Sequence, residues 1–165
     1  MLLTYSKIRR KSVDFEVLYK LKSSASDIYW SGYTNKPDRK AFFDWYSIQL
    51  DRTDRDIFIA KDILSKSSVG YLYLTLVNKS IEISHGVSPD YQKQGIGSSI
   101  VNFVVNWSSL KYQKYDIVAW VAEENTPSIQ TFMNNGFVLT RENKSMTYNA
   151  LNKKVILNKY KYLKD

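Results

Sequence analysis

Apolar and polar positions change period several times along the chain, and each change predicts an element. Residues 2–9 alternate at a period near two, which reads as a short strand. Val13, Val17, Leu18 and Leu21 then recur at helical spacing. Residues 23–37 are polar and turn-rich, a loop that nevertheless carries Ile28, Tyr29, Trp30 and Tyr33. Asp38 has the short, oxygen-bearing side chain of a helix N-cap, and Phe42, Phe43, Tyr46 and Leu50 follow on one face of a helix over about 39–50. Residues 56–61 and 69–77 are strand runs joined by a Lys/Ser-rich turn, and residues 80–87 add a third. A helix over about 95–110 carries Ile100, Val101, Val104 and Val105 as an apolar stripe that Leu110 continues. Residues 116–122 form a buried strand, and Pro127 then favours the first turn of a short helix. Asn135-Gly136 stops that helix, and residues 137–142 and 154–160 are the last two strands. With no internal repeat or linker, strands alternating with helices give one α/β layered domain over residues 1–165.

A chain of 165 residues, 44% hydrophobic and 15% aromatic, is long enough and apolar enough to bury one core. No apolar run approaches the roughly 20 residues that cross a bilayer, and the first residues lack the charge-then-apolar order of a signal peptide. A cytoplasmic protein that does not engage a membrane is the expectation. Zero cysteines exclude disulfides, thiolate nucleophiles and cysteine-based zinc sites, and a single histidine leaves little for a histidine-rich one, so no metal is expected. The net charge of +8 resides at the ends. Residues 1–22 carry six Lys/Arg against two acids, residues 141–165 seven against two, and the stretch between them 11 against 12. Basic ends fit either a solvated surface or an anionic partner. No nucleic-acid-binding signature accompanies them, so a nucleic-acid partner is not expected.

The stretch from Val87 to Gly97 is where the strand pattern gives way to the long helix. Pro89-Asp90 marks a turn, and Gly95 and Gly97 bracket Ile96 as the helix begins. The first amides of a helix have no partner within it, the helix dipole adds positive potential there, and glycine puts no side chain in front of them. Strand, glycine turn and helix start together make a phosphate site.

Gln92-Lys-Gln-Gly-Ile-Gly97 matches the (Arg/Gln)-x-x-Gly-x-(Gly/Ala) signature of the GCN5-related N-acetyltransferases, and the resemblance runs well beyond these six residues. A strand precedes the signature and a long helix follows. Then come a buried strand, an Asn-bearing loop at Asn125, a short helix and Gly136-Phe137 entering the next strand, so that about residues 54–142 follow the family's order. The resemblance implies that fold, a single domain with a central mixed, mostly antiparallel sheet of about seven strands flanked by about four helices. It also implies acetyl-CoA as co-substrate and a primary-amine acceptor that attacks the thioester directly in a ternary complex. On this reading the backbone amides of Gln94, Gly95, Ile96, Gly97 and Ser98 hold the CoA pyrophosphate, with Gln92 or Lys93 adding a donor. Val87 pairs with the pantetheine arm as with an added strand. Asn125 contacts that arm, or else caps the helix after it.

The resemblance also exposes a departure. Many relatives carry a Tyr acid in the short helix, and Phe132 stands at the matching position here. Attention moves to the strand before the signature. His85, whose ordinary pKa of ~6.5 suits a base, and Glu82 are the candidates for proton transfer. They lie on opposite faces unless a bulge re-aims one. The structural alternatives are a histidine hydrogen-bonded in the core, a paired surface carboxylate, or a relay through water alone. Tyr29, Trp30 and Tyr33 either fold over the core or stack on an acceptor ring, which favours an amino sugar or nucleotide-linked amino sugar. Protein N-termini, polyamines and small drugs as acceptors, and a non-catalytic CoA- or RNA-binding member of the fold, are the alternatives. A monomer or a homodimer is open, the Lys/Tyr-rich residues 159–163 being either a subunit contact or a charged edge.

Overall fold

The computed structural model of the protein describes residues 1–164. Seven strands, β1 (Leu3–Lys7), β2 (Arg55–Asp62), β3 (Ser68–Val77), β4 (Ser80–Val87), β5 (Asp116–Ala122), β6 (Phe137–Tyr148) and β7 (Lys153–Tyr162), form one sheet in the order β1-β2-β3-β4-β5-β7-β6. Every neighbouring pair is antiparallel except β4 and β5, which are parallel. The five α-helices are α1 (Ser12–Lys22), α2 (Ala25–Trp30), α3 (Arg39–Asp51), α4 (Ile96–Lys111) and α5 (Thr126–Met133).

Period-two alternation divides most of the sheet's side chains between two cores, and a smaller third cluster joins Ala122, Tyr148, Val155 and Leu157. On one face Phe58, Leu72, Leu74, Ile81 and Ile83 meet Ile96, Ile100, Val101 and Val104 of α4 and Phe132 of α5. On the other face Ile57, Ile59 and Tyr71 meet Phe15, Leu18 and Leu21 of α1 and Phe42 and Tyr46 of α3. The apolar stripes read from the sequence supply most of both layers. Phe43 and Leu110 do not: they are 54% and 81% exposed, Phe43 resting edge-on against Phe15.

The sheet agrees with the mixed, mostly antiparallel arrangement of seven strands expected for the GCN5-related fold. Two features differ from the sequence reading. The stretch read as a loop contains α2, a six-residue helix whose N-cap Ser24 accepts from the Asp27 amide at 3.3 Å; five helices therefore flank the sheet, in keeping with the expected number of about four. Strand β6 runs on to Tyr148, its ladder with β7 resuming at Asn143 after a register shift that follows Leu139. That shift hides the period beyond residue 142.

The pairing of β4 with β5 sets up everything that follows. It covers only Ser80↔Asp116, Ile81↔Ile117 and Glu82↔Val118. Beyond Glu82, β4 stays on β3 as far as Gly70↔Val87, while β5 continues along β7. The two central strands therefore part, and α4 and α5 lie at the opening.

Ile100 is fully buried between α4 and the sheet. Its replacement by Ala lowers unfolding free energy by about 2–5 kcal/mol, against less than about 0.5 for Leu110→Ala. Urea denaturation measures both, and equal costs would mean that α4 does not dock through this stripe.

Candidate active site

The first wall of the opening is the free edge of β4. The Ser88 amide donates to the Val69 carbonyl at 2.9 Å. Antiparallel alternation then directs the main-chain groups of Gly86 and Ser84 to β3, and those of His85 and Val87 to the open side. An extended amide chain laid there would find strand-like partners. The Val87 carbonyl also accepts from Gln92 Nε2 at 3.3 Å, and the same nitrogen donates to Ser26 Oγ at 3.3 Å. Gln92 is thus turned back towards β4 and α2.

The loop after β4 delivers the chain to the start of α4. Lys93 and Gly95 both take left-handed backbone (φ +59° and +76°), and Gly95 is the N-cap. A side chain at 95 would have open space but strained backbone. Residue 97 is glycine for another reason: a Cβ there would lie 3.3 Å from His85 Nε2 and 3.4 Å from Thr131, so the helix start sits hard against β4 and α5. The 16-residue helix α4 has no side-chain cap and no acid in its first turn. Its first amides and the positive end of its dipole face the opening. Lys93 is exposed there and joins no ion pair among the described residues. The arrangement fits a phosphate group held by main chain.

His85 lies between these parts, its ring packed edge-on against Phe132 with centroids 5.4 Å apart, and Phe132 in turn against Phe137 at 5.0 Å. Burial pushes the imidazole down to about 4, so the ring is neutral near pH 7. Phe132 itself is 2% exposed, so where relatives of the resembling family carry a phenol this site has an aromatic floor. At the head of α5, Asn125 Oδ1 accepts from the Ser128 amide at 3.3 Å. The helix-capping alternative is therefore real, and the Asn125 side chain also lines the cleft.

Glu82 faces the other way. No bulge interrupts the β3–β4 ladder, so Glu82 points to the face opposite His85, where Trp120 Nε1 donates to its Oε1 at 2.9 Å. It is a hydrogen-bonded carboxylate behind Trp120, off the cleft wall. Lys144 Nζ lies 4.1 Å from the Trp120 ring centroid.

On that same face stands a polar cluster that sequence reasoning missed. Tyr71 OH donates to Asp27 Oδ2, Lys22 Nζ pairs with Asp27 Oδ1, and Lys22 Nζ also donates to Tyr71 OH and Ser31 Oγ, each at 3.1 Å. The cluster packs under Gly86, where any side chain would collide with Tyr71 and Asp27. Burial first, and then the charge of Asp27, hold the Tyr71 phenol well above its ordinary pKa. The available signal was Tyr71-Leu-Tyr73: two hydroxyl-bearing rings on one strand face need polar partners when that face is covered.

One cleft of about 770 Å³ gathers His85, Val87, Gln92, Lys93, Gly95, Ile96, Gly97, Ser98, Asn125 and Trp30 with Asp27, Tyr71 and Trp120. Glu82, Gln94, Tyr29 and Tyr33 are not on its wall. Gln94 Nε2 donates to the Asp90 carbonyl at 3.1 Å. Of the three aromatics read as one acceptor group, Trp30 reaches the cleft, anchored where Tyr148 OH donates to its carbonyl at 2.9 Å. Tyr29 is exposed beside Lys153, and Tyr33 lines a neighbouring cavity. The reason is α2, whose helical turn sends successive side chains about 100° apart instead of presenting them together.

Comparison with known proteins agrees with this geometry. The model of the acetyltransferase (GNAT) family matches residues 22–137, well over half of the chain. No curated protein matches it. Among solved structures, the spermidine N-acetyltransferase from Vibrio cholerae in complex with CoA and spermine superposes with a TM-score of 0.79 at 17% identity, over 96% of this chain and 94% of that one. The GNAT-family acetyltransferase from Bacillus anthracis does so with a TM-score of 0.82 at 16% identity, over 99% and 95%. At such identities the likeness is one of fold. The family match, with the parted strands and the uncapped helix start, places the protein: it belongs to the acetyltransferase (GNAT) family of acetyl-CoA-dependent N-acetyltransferases.

Proposed function

We propose that the protein transfers an acetyl group from acetyl-CoA directly to the primary amine of a small molecule bound at the same time. The observation that carries the donor half is the uncapped, acid-free start of α4 beside the free edge of β4. The amides of Gly95, Ile96, Gly97 and Ser98, with that of Gln94 and the Lys93 ammonium, hold the pyrophosphate. The main chain at His85 and Val87 and the unused amide nitrogen of Asn125 take the pantetheine arm. Acetyl-CoA supplies an activated acyl group: the amine nitrogen bonds to the carbonyl carbon, the C–S bond breaks, and the sulfur leaves as thiolate.

The residues then have to manage two protons. The nitrogen becomes more acidic as the C–N bond forms, and His85 is the side chain on the donor wall able to accept from it. Held neutral by burial, it is available across the working range, though a weak base. Phe132 has no proton to give, so the departing thiolate takes its proton from water in the cleft. Glu82 lies behind the acceptor wall, where it accepts from Trp120 Nε1 and fixes that ring rather than touching the reacting atoms.

The acceptor read from these walls is a monoamine on a ring body, of the amino-sugar or nucleotide-linked amino-sugar kind. Trp30 and Trp120 supply indole surface to the cleft, with Lys144 Nζ over the Trp120 ring. Spermine, the ligand of the Vibrio cholerae neighbour, carries several positive charges, whereas the carboxylate on this cleft wall, Asp27, is already paired with Lys22.

Two outcomes test this reading. Acetyl-CoA at about 100 times its Kd stabilises the fold by about 2.7 kcal/mol, and free thiol appears with glucosamine faster than with spermidine or without amine. Stabilisation without thiol release from any amine would leave a CoA-binding protein and remove the enzyme. His85→Gln lowers kcat at least about tenfold while the stabilisation by acetyl-CoA persists; an unchanged kcat takes His85 out of the reaction.

The pH profile follows from the same ring. Because burial moves the imidazole down, it becomes charged only below about 4. Between pH 5 and 9, kcat/KM rises with a single limb set by the acceptor amine, with no inflection near the ordinary histidine value of ~6.5. An inflection there that His85→Gln abolishes would show an accessible, ordinarily titrating ring.

A further inference from the structure

A second cavity of about 650 Å³ adjoins the cleft and shares Lys22, Ser31 and Tyr73 with it. It lies beneath residues 31–38, between α1 and α3. Phe42 and Trp45 of α3, with Ile28 and Tyr33, give it aromatic and aliphatic walls, and its volume is that of a site for a small organic ligand.

Its polar content is specific. Tyr73 OH is buried and has no hydrogen-bond partner among the described residues. A buried hydroxyl left unpaired costs about 1–3 kcal/mol, so its retention calls for a partner that arrives from outside the chain. Burial raises the Tyr73 phenol far above its ordinary pKa, and it remains an O–H donor. Lys22 Nζ stands in the shared wall, 5.8 Å from the Tyr73 ring centroid. Of the charged side chains in the lining, Lys22 is paired with Asp27, and Lys36 is offset by Asp38, which caps α3 by accepting from the Ala41 amide at 2.8 Å. The cavity therefore has balanced charges and welcomes a neutral body with an acceptor oxygen.

We propose that this second cavity is the tail subsite for the acceptor: the amine reaches the β4 edge through the cleft, and a flat, uncharged aromatic body lies beneath residues 31–38 with an oxygen accepting from Tyr73 OH. The acceptors are then ring-bodied monoamines carrying an aryl or similar flat substituent. The proposal rests on the acetyl-transfer reading for the identity of the amine end, and on the cavity alone for the tail.

The test compares p-nitrophenyl 2-amino-2-deoxyglucoside with glucosamine. The wild-type protein has a KM at least about tenfold lower for the aryl compound. Ala41 is exposed at the cavity rim, and Ala41→Trp fills the space. That variant raises the KM for the aryl compound to that of glucosamine and leaves the values for glucosamine and acetyl-CoA unchanged. Tyr73→Phe raises the KM for the aryl compound about 2–10-fold with kcat unchanged and no loss of thermal stability. Equal KM values for the two amines in the wild type, or an aryl KM that Ala41→Trp does not move, overturns the subsite. If neither amine is acetylated, the transfer reading fails separately, and calorimetric titration of the aryl compound into the CoA-loaded protein decides the subsite. Binding that Ala41→Trp abolishes supports it, and no binding overturns it.

Discussion

The constraint on which the rest depends is the short parallel ladder between β4 and β5. Three residue pairs hold the two halves of the sheet together at one end; past them each strand follows its other neighbour. A sheet that stayed zipped would bury the His85 and Val87 main-chain groups in ladder hydrogen bonds and leave no room for a ligand. One that never paired would have no common core, since Ile81 and Ile117, fully buried at the junction, belong to the cluster that packs against α4. The same three pairs therefore hold the fold together and define the depth of the cleft.

The division of labour across that opening is chemical as well as spatial. On the side we assign to the donor the groups on offer are main chain: helix-start amides, a strand edge, and a left-handed Gly95 that costs little only because it has no side chain. On the side we assign to the acceptor they are side chains drawn from distant parts of the chain: Lys22 and Asp27 near the start, Tyr71 and Tyr73 on β3, Trp120 on β5, Tyr148 at the end of β6. Main-chain recognition needs a local conformation, which a short run of sequence encodes. Side-chain recognition needs a tertiary arrangement.

That difference decides what could be read before the structure. Gln92–Gly97 announces itself because strand period, turn residues, glycines and helix period follow one another within a dozen residues, and the seven strands are legible for similar reasons. Helix α2 is not, because six residues are too few to establish a period and its hold comes from Asp27, whose partner Tyr71 is 44 residues away. With α2 hidden, Tyr29, Trp30 and Tyr33 look like one aromatic group, when only Trp30 faces the cleft. Tyr73 is similar: alternation places it on a covered face, but nothing local tells that its hydroxyl has no partner.

Phe132 ties the two sides together. A phenol there would bring a polar group to the floor beside His85; a phenyl ring completes an apolar contact from His85 through Phe132 to Phe137. Such a floor depresses the imidazole and equally disfavours an ammonium ion, so an amine that approaches the donor wall does so most readily in its neutral form. Desolvation would then supply part of what a strong base supplies elsewhere, by selecting the unprotonated nucleophile before the bond forms. The requirement left for the protein is to hold the rest of the acceptor firmly enough to offset that cost, and the polar, aromatic wall across the cleft is built from residues suited to it.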